Sequence, residues 1–305
     1  MGRKTARSKV EQFRRDFITM ARDASGGYAT TADRMRIARY FLDYLKNSGI
    51  KLRHTDSVKT RHLVGYFQSR KEQGISVRTI HNERSAIRGI LHQAGRYKLA
   101  DPNNELLSNK ALGLTAASRM GTKSPLSPEE FKQAFSEIEK KDVGVAATMK
   151  IAYALGLRTR EAVQSYKSIL SWKRALDSGQ NSVRVIFGTK GGRPRDTVII
   201  DREALRHAIS YAENVMDKHN GKLIDRPDIQ KAINTYRYHV RRVGLSGEKS
   251  PHSMRYHFSR EARDFYKERG FTEKEIFSQV SMDLGHGDGR GRYVKQVYFQ
   301  SGDES

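Results

Sequence analysis

Only one place in this chain favours β-structure, which restricts the fold to a mainly helical one. Two segments rich in β-branched residues, 183–187 and 196–200, flank the glycine-rich turn 188–195, and such a pattern predicts a β-hairpin. Elsewhere apolar residues recur every three or four positions, most regularly over 31–49 and 76–91, which is the spacing of one helix face. The chain is therefore predicted to be an α+β protein, mainly α with a small β-hairpin or sheet.

A polar stretch without periodicity divides the chain. Residues 113–125 are mostly small or polar, and a chain of 305 residues is long enough for two separate cores. We expect an N-terminal helical domain over 1–115, in which 1–26 form a basic extension. A linker over 116–125 would then lead to a second domain over 126–305.

The chain carries a large excess of positive charge. Lys and Arg number 57 against 34 Asp and Glu, which gives a net charge of +23. A polyanion relieves the self-repulsion of such a protein, and nucleic acid is the usual one, although a ribosome-bound or membrane-surface protein would share this balance. The helix predicted over 76–91 has basic side chains that suit a DNA groove or a solvated face. Its candidate DNA-binding residues are Arg78, His81, Arg84 and Arg88.

Cysteine and long apolar runs are both missing from the sequence. The lack of cysteine excludes disulfides, thiolate catalysis and cysteine-ligated metal sites. No apolar run approaches the ~20 residues that a membrane span needs, so no membrane partner is expected. No carboxylate cluster accompanies the histidines, so no metal site is expected either.

The C-terminal part of the chain carries residues suited to chemistry on a phosphodiester. His252 and Arg255 are three residues apart, so one helix face presents both to a single anion. His286 follows a Leu-Gly turn, and Tyr293 and Tyr298 come after it. Arginine pairs with phosphate oxygens, histidine exchanges protons near neutral pH, and a phenol oxygen can be a covalent nucleophile.

Four motifs place these residues in a recognisable order. They are Leu155-Gly156-Leu157-Arg158-x-x-Glu161, Thr189-Lys190-Gly191-Gly192, His252-x-x-Arg255-Tyr256-His257-Phe258 and Leu284-Gly285-His286. Each is weak alone, but all four in order, with a tyrosine after the last, resemble the tyrosine recombinase (phage integrase) family of site-specific recombinases. Residues 8 to 115 are similar to the helical core-binding domain of that family, and 126 to 305 to its catalytic domain.

The resemblance implies that the two domains form a C-shaped clamp on DNA. It also implies that Arg158 and Arg255 hold the non-bridging oxygens of the scissile phosphate. His252 and His286 would hydrogen-bond the same phosphate, and His252 is in addition a candidate acceptor for the phenol proton.

Further roles fall on the hairpin turn and the first arginine motif. Lys190 would be the general acid that protonates the leaving 5′-oxygen, and Glu161 would orient His252 or Arg158 as a supporting residue. Arg193 and Arg195, on the same turn as Lys190, are candidate DNA-binding residues that compete with it for the acid role.

The nucleophile is the point at which the sequence departs from the family pattern. Tyr293 lies seven and Tyr298 twelve residues after His286, and neither has the usual spacing, since 287–292 resembles a small insertion. The context Gln296-Val297-Tyr298-Phe299 is similar to that of the family's nucleophile. Tyr298 is therefore the predicted nucleophile and Tyr293 the alternative.

Together these features predict a DNA strand transferase that works without a cofactor. It would cut and rejoin DNA at specific sites through a 3′-phosphotyrosine intermediate, integrating or excising a mobile element. The expected partners are double-stranded DNA, further copies of the chain in a dimer or tetramer on DNA, and accessory DNA-bending proteins, in the bacterial cytoplasm at the nucleoid. The alternatives are a type IB topoisomerase-like enzyme that relaxes DNA and a non-catalytic DNA-binding regulator on the same fold.

Overall fold

A computed structural model describes residues 8–115 and 120–299 of the chain. Its internal contacts divide the chain into two compact units, with the boundary between residues 118 and 119. Each unit buries its own apolar residues. No helix in the described ranges is long and apolar enough to cross a membrane.

The N-terminal unit is a group of helices whose apolar stripes face one another. The rings of Phe17, Phe41 and Tyr66 are in successive contact at its centre, with centroid distances of 5.4 and 5.5 Å. The helices are α1 (Lys9–Asp23), α2 (Tyr28–Asn47), α3 (Thr60–Glu72), α4 (Val77–Gln93) and α5 (Tyr97–Ala100).

Helix α1 belongs to this core. The sequence predicts residues 1–26 to be a basic extension, but their described part is mostly α1, in which Phe13 and Phe17 are buried. Arg34 of α2 supports the end of α1 by donating a hydrogen bond of 2.6 Å to the carbonyl of Ala24. Basic residues occupy the exposed face of α1. Its opposite, apolar face packs into the core of the N-terminal unit and so determines the position of the helix.

The second unit is organised around a buried helix. Helix α7 (Val143–Leu155) is apolar on almost every side, which allows it to lie inside the core of this unit. It ends at Gly156, whose φ of 58° is left-handed and favours glycine. The helices of this unit are α6 (Pro128–Glu139), α7 (Val143–Leu155), α8 (Thr159–Val163), α9 (Ile169–Asp177), α10 (Arg202–Lys218), α11 (Ile229–Arg242), α12 (Ser253–Glu268), α13 (Glu273–Asp283) and α14 (Gly291–Tyr298).

The predicted β-hairpin is present in this unit, and its strands are the only two in the described ranges. Strands β1 (Ser182–Val185) and β2 (Arg195–Val198) pair antiparallel, with Ser182 opposite Val198 and Val185 opposite Arg195. Both strands begin one residue earlier and end two residues earlier than the β-branched runs suggest. The turn between them contains a short 3-10 helix, Lys190–Gly192.

The described part of the predicted linker is bonded to the second unit. The backbone N–H of Ser124 donates to the carbonyl of Glu248 at 3.2 Å, and the ammonium of Lys123 donates to the carbonyl of Gly247 at 2.7 Å. Residues 116–119 of that prediction lie outside the described ranges. The segment 120–126 therefore lies along the second unit as an ordered strap.

Candidate active site

Arg255 is the most deeply buried charged residue of the site. It projects from the first turn of α12 and is completely shielded from solvent. Its Nη1 donates to the carbonyl of Gly156 at 2.7 Å, its Nη2 donates to the carbonyl of Leu284, and its Nε donates to the hydroxyl of Tyr298 at 3.1 Å. A buried guanidinium is tolerated because each of its nitrogens has an acceptor.

The hydroxyl of Tyr298 lies between a guanidinium and an imidazole. Besides Arg255, it contacts Nε2 of His286 at 3.1 Å. Tyr298 is in the last turn of α14 and is buried together with Val294, one turn earlier on the same helix face. The structure therefore brings three of the predicted residues into direct contact.

Arg158 reaches the same place from another element. It is the first residue after the Gly156–Leu157 turn and caps α8. Its Nη2 donates to the carbonyl of Leu284 at 3.0 Å, the carbonyl that also accepts from Arg255. One carbonyl in the Leu-Gly-His motif thus joins both predicted phosphate-binding arginines.

Glu161 is buried between two arginines. It accepts from Nη1 of Arg158 at 2.8 Å, and both of its carboxylate oxygens accept from Arg195, at 2.7 and 2.9 Å. Burial opposes ionisation of this carboxyl, but the attraction of Arg195, Arg255 and Arg158 outweighs it, so the pKa of Glu161 lies below its usual value. Of its two predicted partners, Glu161 contacts Arg158, whereas His252 has no hydrogen bond to it among the described contacts.

Arg195 is not exposed on the hairpin turn, where the sequence predicts it to contact DNA. It is the first residue of β2, its side chain points into the protein, and it is 7% exposed. The prediction that it contacts DNA is therefore corrected, because the guanidinium is held by Glu161. Arg193, two residues earlier, is exposed.

A single open cavity of about 1630 Å³ in the second unit connects the remaining predicted residues. His252 caps α12 and its ring centroid lies 6.3 Å from that of Tyr298. Lys190 is exposed in the hairpin turn. The predicted residues that line this cavity are Arg158, Lys190, Arg193, Arg195, His252, His286, Tyr293 and Tyr298.

The two histidines of the cavity are held neutral. Burial, followed by repulsion from Arg255 and Arg158, lowers the pKa of His252 to about 4 and that of His286 to about 3. Imidazoles beside two guanidiniums remain uncharged until an anion arrives. The site is thus positively charged and suited to a phosphate.

Tyr293 lines the same cavity but lacks the hydrogen bonds that Tyr298 makes among the described contacts. Its ring centroid lies 5.0 Å from that of His286, and its side chain is half-buried. Tyr298 is the tyrosine whose hydroxyl meets Arg255 and His286.

The predicted DNA-binding residues of α4 divide into two groups. Arg78 is exposed, whereas His81, Arg84 and Arg88 are partly buried and bonded to backbone carbonyls of Leu114, Leu107 and Pro102 at 2.9, 2.9 and 3.2 Å. The last three side chains hold the segment 102–114 against α4. Such contacts are between residues far apart in sequence, so helical spacing alone does not reveal them.

Two further features of the second unit are not predicted by the sequence analysis. The ring of Tyr256 lies 4.6 Å from that of Tyr298, and its hydroxyl accepts hydrogen bonds from the backbone of Thr122 and Lys123. The other feature is a basic patch on α11, which the i, i+4 spacing of two arginines could have indicated. It surrounds a shallow cavity of about 450 Å³ lined by Asn234, Arg237, Tyr238, Arg241 and Arg242.

Within the described ranges, His, Asp and Glu side chains do not cluster in a group of three that could hold a metal ion. The side chains that line or contact the cavity include arginines, imidazoles, an ammonium and a phenol. These groups could bind a phosphodiester, stabilise added negative charge and supply an oxygen nucleophile.

Comparison with known proteins gives two family-model matches and several structural ones. Residues 10–100 match the model "Phage integrase, N-terminal", and residues 113–261 match the model "Integrase". No curated protein matches the sequence.

Solved structures resemble the whole chain. A lambda integrase tetramer bound to a Holliday junction matches with a TM-score of 0.60 and 13% identity, over 99% of this chain and 81% of that one. The Tn1549 transposon integrase in complex with transposon right end DNA matches with a TM-score of 0.57 and 16% identity, over 95% and 96%. The XerH recombinase bound to a palindromic difH substrate matches with a TM-score of 0.54 and 13% identity, over 96% and 94%.

Proposed function

This chain belongs to the phage integrase family of tyrosine recombinases, and we propose that it is a site-specific DNA recombinase that cuts and rejoins DNA through a phosphotyrosine intermediate. The observation that carries the proposal is the set of hydrogen bonds that joins Arg158, Arg255, His286 and Tyr298 beside a basic cavity. The family resemblance alone would not supply that geometry, because identity to the solved relatives is low.

In the proposed reaction, the Tyr298 oxygen attacks the scissile phosphorus. A bond forms between that oxygen and phosphorus, and the bond from phosphorus to the 5′-oxygen breaks. Lys190, in the hairpin turn at the cavity, gives its proton to the leaving oxygen. A 5′-hydroxyl from a partner strand then attacks the phosphotyrosine and gives its proton to Lys190. The bond from phosphorus to the Tyr298 oxygen breaks and the phenol takes back its proton, so the phosphodiester is restored without an external energy source.

Two guanidiniums stabilise the transition state. A guanidinium has five N–H donors, and the protein contacts of Arg255 use three of them. Those of Arg158 use two, toward Glu161 and Leu284. Arg158 lines the cavity, so its remaining donors are preorganised for the oxygens of a phosphate whose negative charge grows during attack. Arg255 is shielded from solvent, and its Nε becomes available to the phosphate when the Tyr298 hydroxyl that it now holds moves to the phosphorus.

His286 is the imidazole in contact with the phenol. Because the Tyr298 hydroxyl accepts from Nε of Arg255, its own proton is directed toward Nε2 of His286 at 3.1 Å. In the tautomer protonated on Nδ1, Nε2 accepts that proton. We therefore propose that His286 accepts the phenol proton as Tyr298 attacks, and that His252 binds the phosphate.

Three basic surfaces are proposed to bind double-stranded DNA. They are α4 around Arg78, the hairpin turn around Arg193, and the patch on α11. We place the protein at the bacterial nucleoid. Solved relatives are a tetramer on a Holliday junction and complexes with transposon DNA, which supports assembly of this chain into a tetramer on two sites of a mobile element.

The test is recombination between DNA fragments that carry the sequences flanking this coding region in its genome. The proposal predicts exchange of flanks between two such fragments by the wild-type protein. Relaxation of a supercoiled plasmid without any exchange would instead support the topoisomerase-like alternative. Site-specific binding without covalent attachment would support a non-catalytic regulator.

A further inference from the structure

A buried arginine outside the four family motifs contacts two parts of the active site. All three nitrogens of the Arg195 side chain have acceptors within the protein. Nη1 and Nη2 form a two-pronged pair with Glu161, and Nε donates to the carbonyl of Asp283 at 2.7 Å. Burying a charge so completely costs folding free energy unless such partners are present. The function of Arg195 therefore depends on which groups these contacts hold in place.

We propose that Arg195 is a positioning residue for DNA cleavage, which fixes Glu161 so that Arg158 is aimed at the phosphate and fixes the turn that carries His286. This inference rests on the proposed recombinase function. It assigns no contact between Arg195 and DNA.

The first contact acts on Arg158 through a shared carboxylate. Oε1 of Glu161 accepts from Nη1 of Arg158 at 2.8 Å and from Nη1 of Arg195 at 2.7 Å. Oε2 accepts from the backbone N–H of Arg158 at 2.8 Å and from Nη2 of Arg195 at 2.9 Å. Glu161 is therefore bracketed by two arginines, and it cannot rotate toward one without breaking bonds to the other.

The second contact acts on the Leu-Gly-His motif. The carbonyl of Asp283 accepts from Nε of Arg195 and from the hydroxyl of Thr197 at 3.1 Å, and the carboxylate of Asp283 accepts from the backbone N–H of Val198 at 2.9 Å. Strand β2 is thus bonded to the end of α13, directly before Leu284. The Leu284 carbonyl joins Arg158 and Arg255, so its position affects both.

The stem of Arg195 also supports the turn after α13. Gly285 has a φ of +64°, and a Cβ atom at this position would lie 2.7 Å from Cδ of Arg195. The turn therefore lies directly against the arginine, with His286 as the next residue. Only a planar fork on a stem of this length reaches Glu161 and Asp283 together, and lysine offers a single ammonium instead.

The experiment compares Arg195→Lys and Arg195→Met with wild-type protein on a nicked suicide substrate at saturating DNA. We expect both variants to bind the site as wild type does and to form the covalent adduct about 100-fold more slowly, the loss that follows from a misplaced catalytic group. The matched control is Arg206→Met on α10, which removes an exposed pair with Glu203 outside the cavity and should retain cleavage within about twofold, as expected for a surface pair.

A double variant separates positioning from general loss of stability. If Arg195 acts in part through Glu161, the variant with both Arg195→Lys and Glu161→Gln cleaves faster than the product of the two single losses predicts, because the shared carboxylate is already gone. Losses that multiply, or wild-type cleavage by Arg195→Lys, would overturn the inference. Arg195→Lys keeps the charge and most of the stem, so it remains informative if Arg195→Met does not fold. Failure of wild-type protein to form any adduct would instead refute the proposed function.

Discussion

The hydroxyl of Tyr298 lies 3.1 Å from Nε of Arg255, and both side chains belong to the same chain. The proposed nucleophile is therefore already beside a guanidinium that is proposed to hold the phosphate. This hydrogen bond joins α12 to α14 and holds the phenol in the lining of the cavity.

Replacing Arg255 with lysine should abolish cleavage without preventing DNA binding. One ammonium cannot reach the carbonyls of Gly156 and Leu284 and the hydroxyl of Tyr298 together, and an unsatisfied buried acceptor costs about 1–3 kcal/mol of folding free energy. We expect Arg255→Lys to cleave at least about 100-fold more slowly and to melt at a lower temperature. Single-turnover cleavage and thermal unfolding measure these effects. An active Arg255→Lys would contradict the assignment.

The strap 120–126 should be sensitive to one added methyl group. A Cβ atom on Gly121 would lie 1.9 Å from the carbonyl oxygen of Val297 and 2.6 Å from the hydroxyl of Tyr256. Gly121→Ala must therefore displace either the strap or α14. Helix α14 carries Tyr298, the residue after Val297. We expect cleavage to fall by about tenfold or more, measured on the suicide substrate.

The control for Gly121→Ala is Gly27→Ala in the N-terminal unit. No heavy atom lies within 4 Å of the Cβ that this change adds, so its cleavage rate should match that of wild type. Equal rates for the two variants would show that the contact between the strap and α14 does not position Tyr298.

The free energy of unfolding should decrease as the pH falls below the pKa of an unperturbed histidine. Burial holds the pKa of His252 and His257 at about 4 and that of His286 at about 3, whereas the unfolded chain protonates these groups near pH 6.5. The unfolded state therefore takes up more protons between pH 6.5 and 4. Stability then decreases by at most about 1.4 kcal/mol per pH unit for each histidine.

Asp283 opposes this trend in part. Burial raises the pKa of Asp283 to about 6. Between that pH and the lower pKa of the unfolded chain, Asp283 is protonated in the folded state and ionised in the unfolded state. The three histidines outweigh the two carboxyls whose pKa burial raises, Asp283 and Glu261, and the melting temperature should be lower at pH 5.5 than at pH 7.5. The decrease should be smaller in His286→Asn, which removes one of the three groups. A melting temperature that does not change with pH would contradict the burial of these imidazoles.

The patch on α11 should account for part of the salt dependence of DNA binding. Arg237 and Arg241 are exposed and one helical turn apart. Each arginine that contacts a phosphate contributes about one unit to the slope of log affinity against log salt. The variant with Arg237→Met and Arg241→Met should therefore lose about two units of slope by that rule.

Arg206→Met on α10 is the control for the α11 patch. Arg206 forms an exposed ion pair with Glu203 and lies outside the proposed DNA-binding surfaces, so the slope should stay that of wild type. An unchanged slope in the α11 double variant would exclude that helix from the DNA interface.

Sequence patterns predicted the elements that depend on local spacing. The amphipathic helices, the hairpin and the residues of the four motifs can be read from positions close together in the chain. The preference for Tyr298 over Tyr293 also has a local basis, because Val294 and Tyr298 are one turn apart on the buried face of α14. Helical periodicity in the last segment would have strengthened that prediction.

The positions that sequence did not predict depend on partners far along the chain. Arg195 is near other basic residues of an exposed turn, and only the contact with Glu161, 34 positions earlier, draws its side chain inward. Arg84 and Arg88 likewise bond to carbonyls of the segment after their own helix. Whether a charged side chain faces DNA or the core is decided by tertiary packing, which spacing along one helix does not record.

The most direct test of the account is to identify the residue that becomes covalently attached to DNA. Wild-type protein would be trapped on a nicked suicide substrate, digested, and the adducted peptide sequenced by mass spectrometry. The account predicts a phosphodiester link on Tyr298, no adduct with Tyr298→Phe, and retained trapping with Tyr293→Phe. An adduct on Tyr293, or full trapping by Tyr298→Phe, would contradict it.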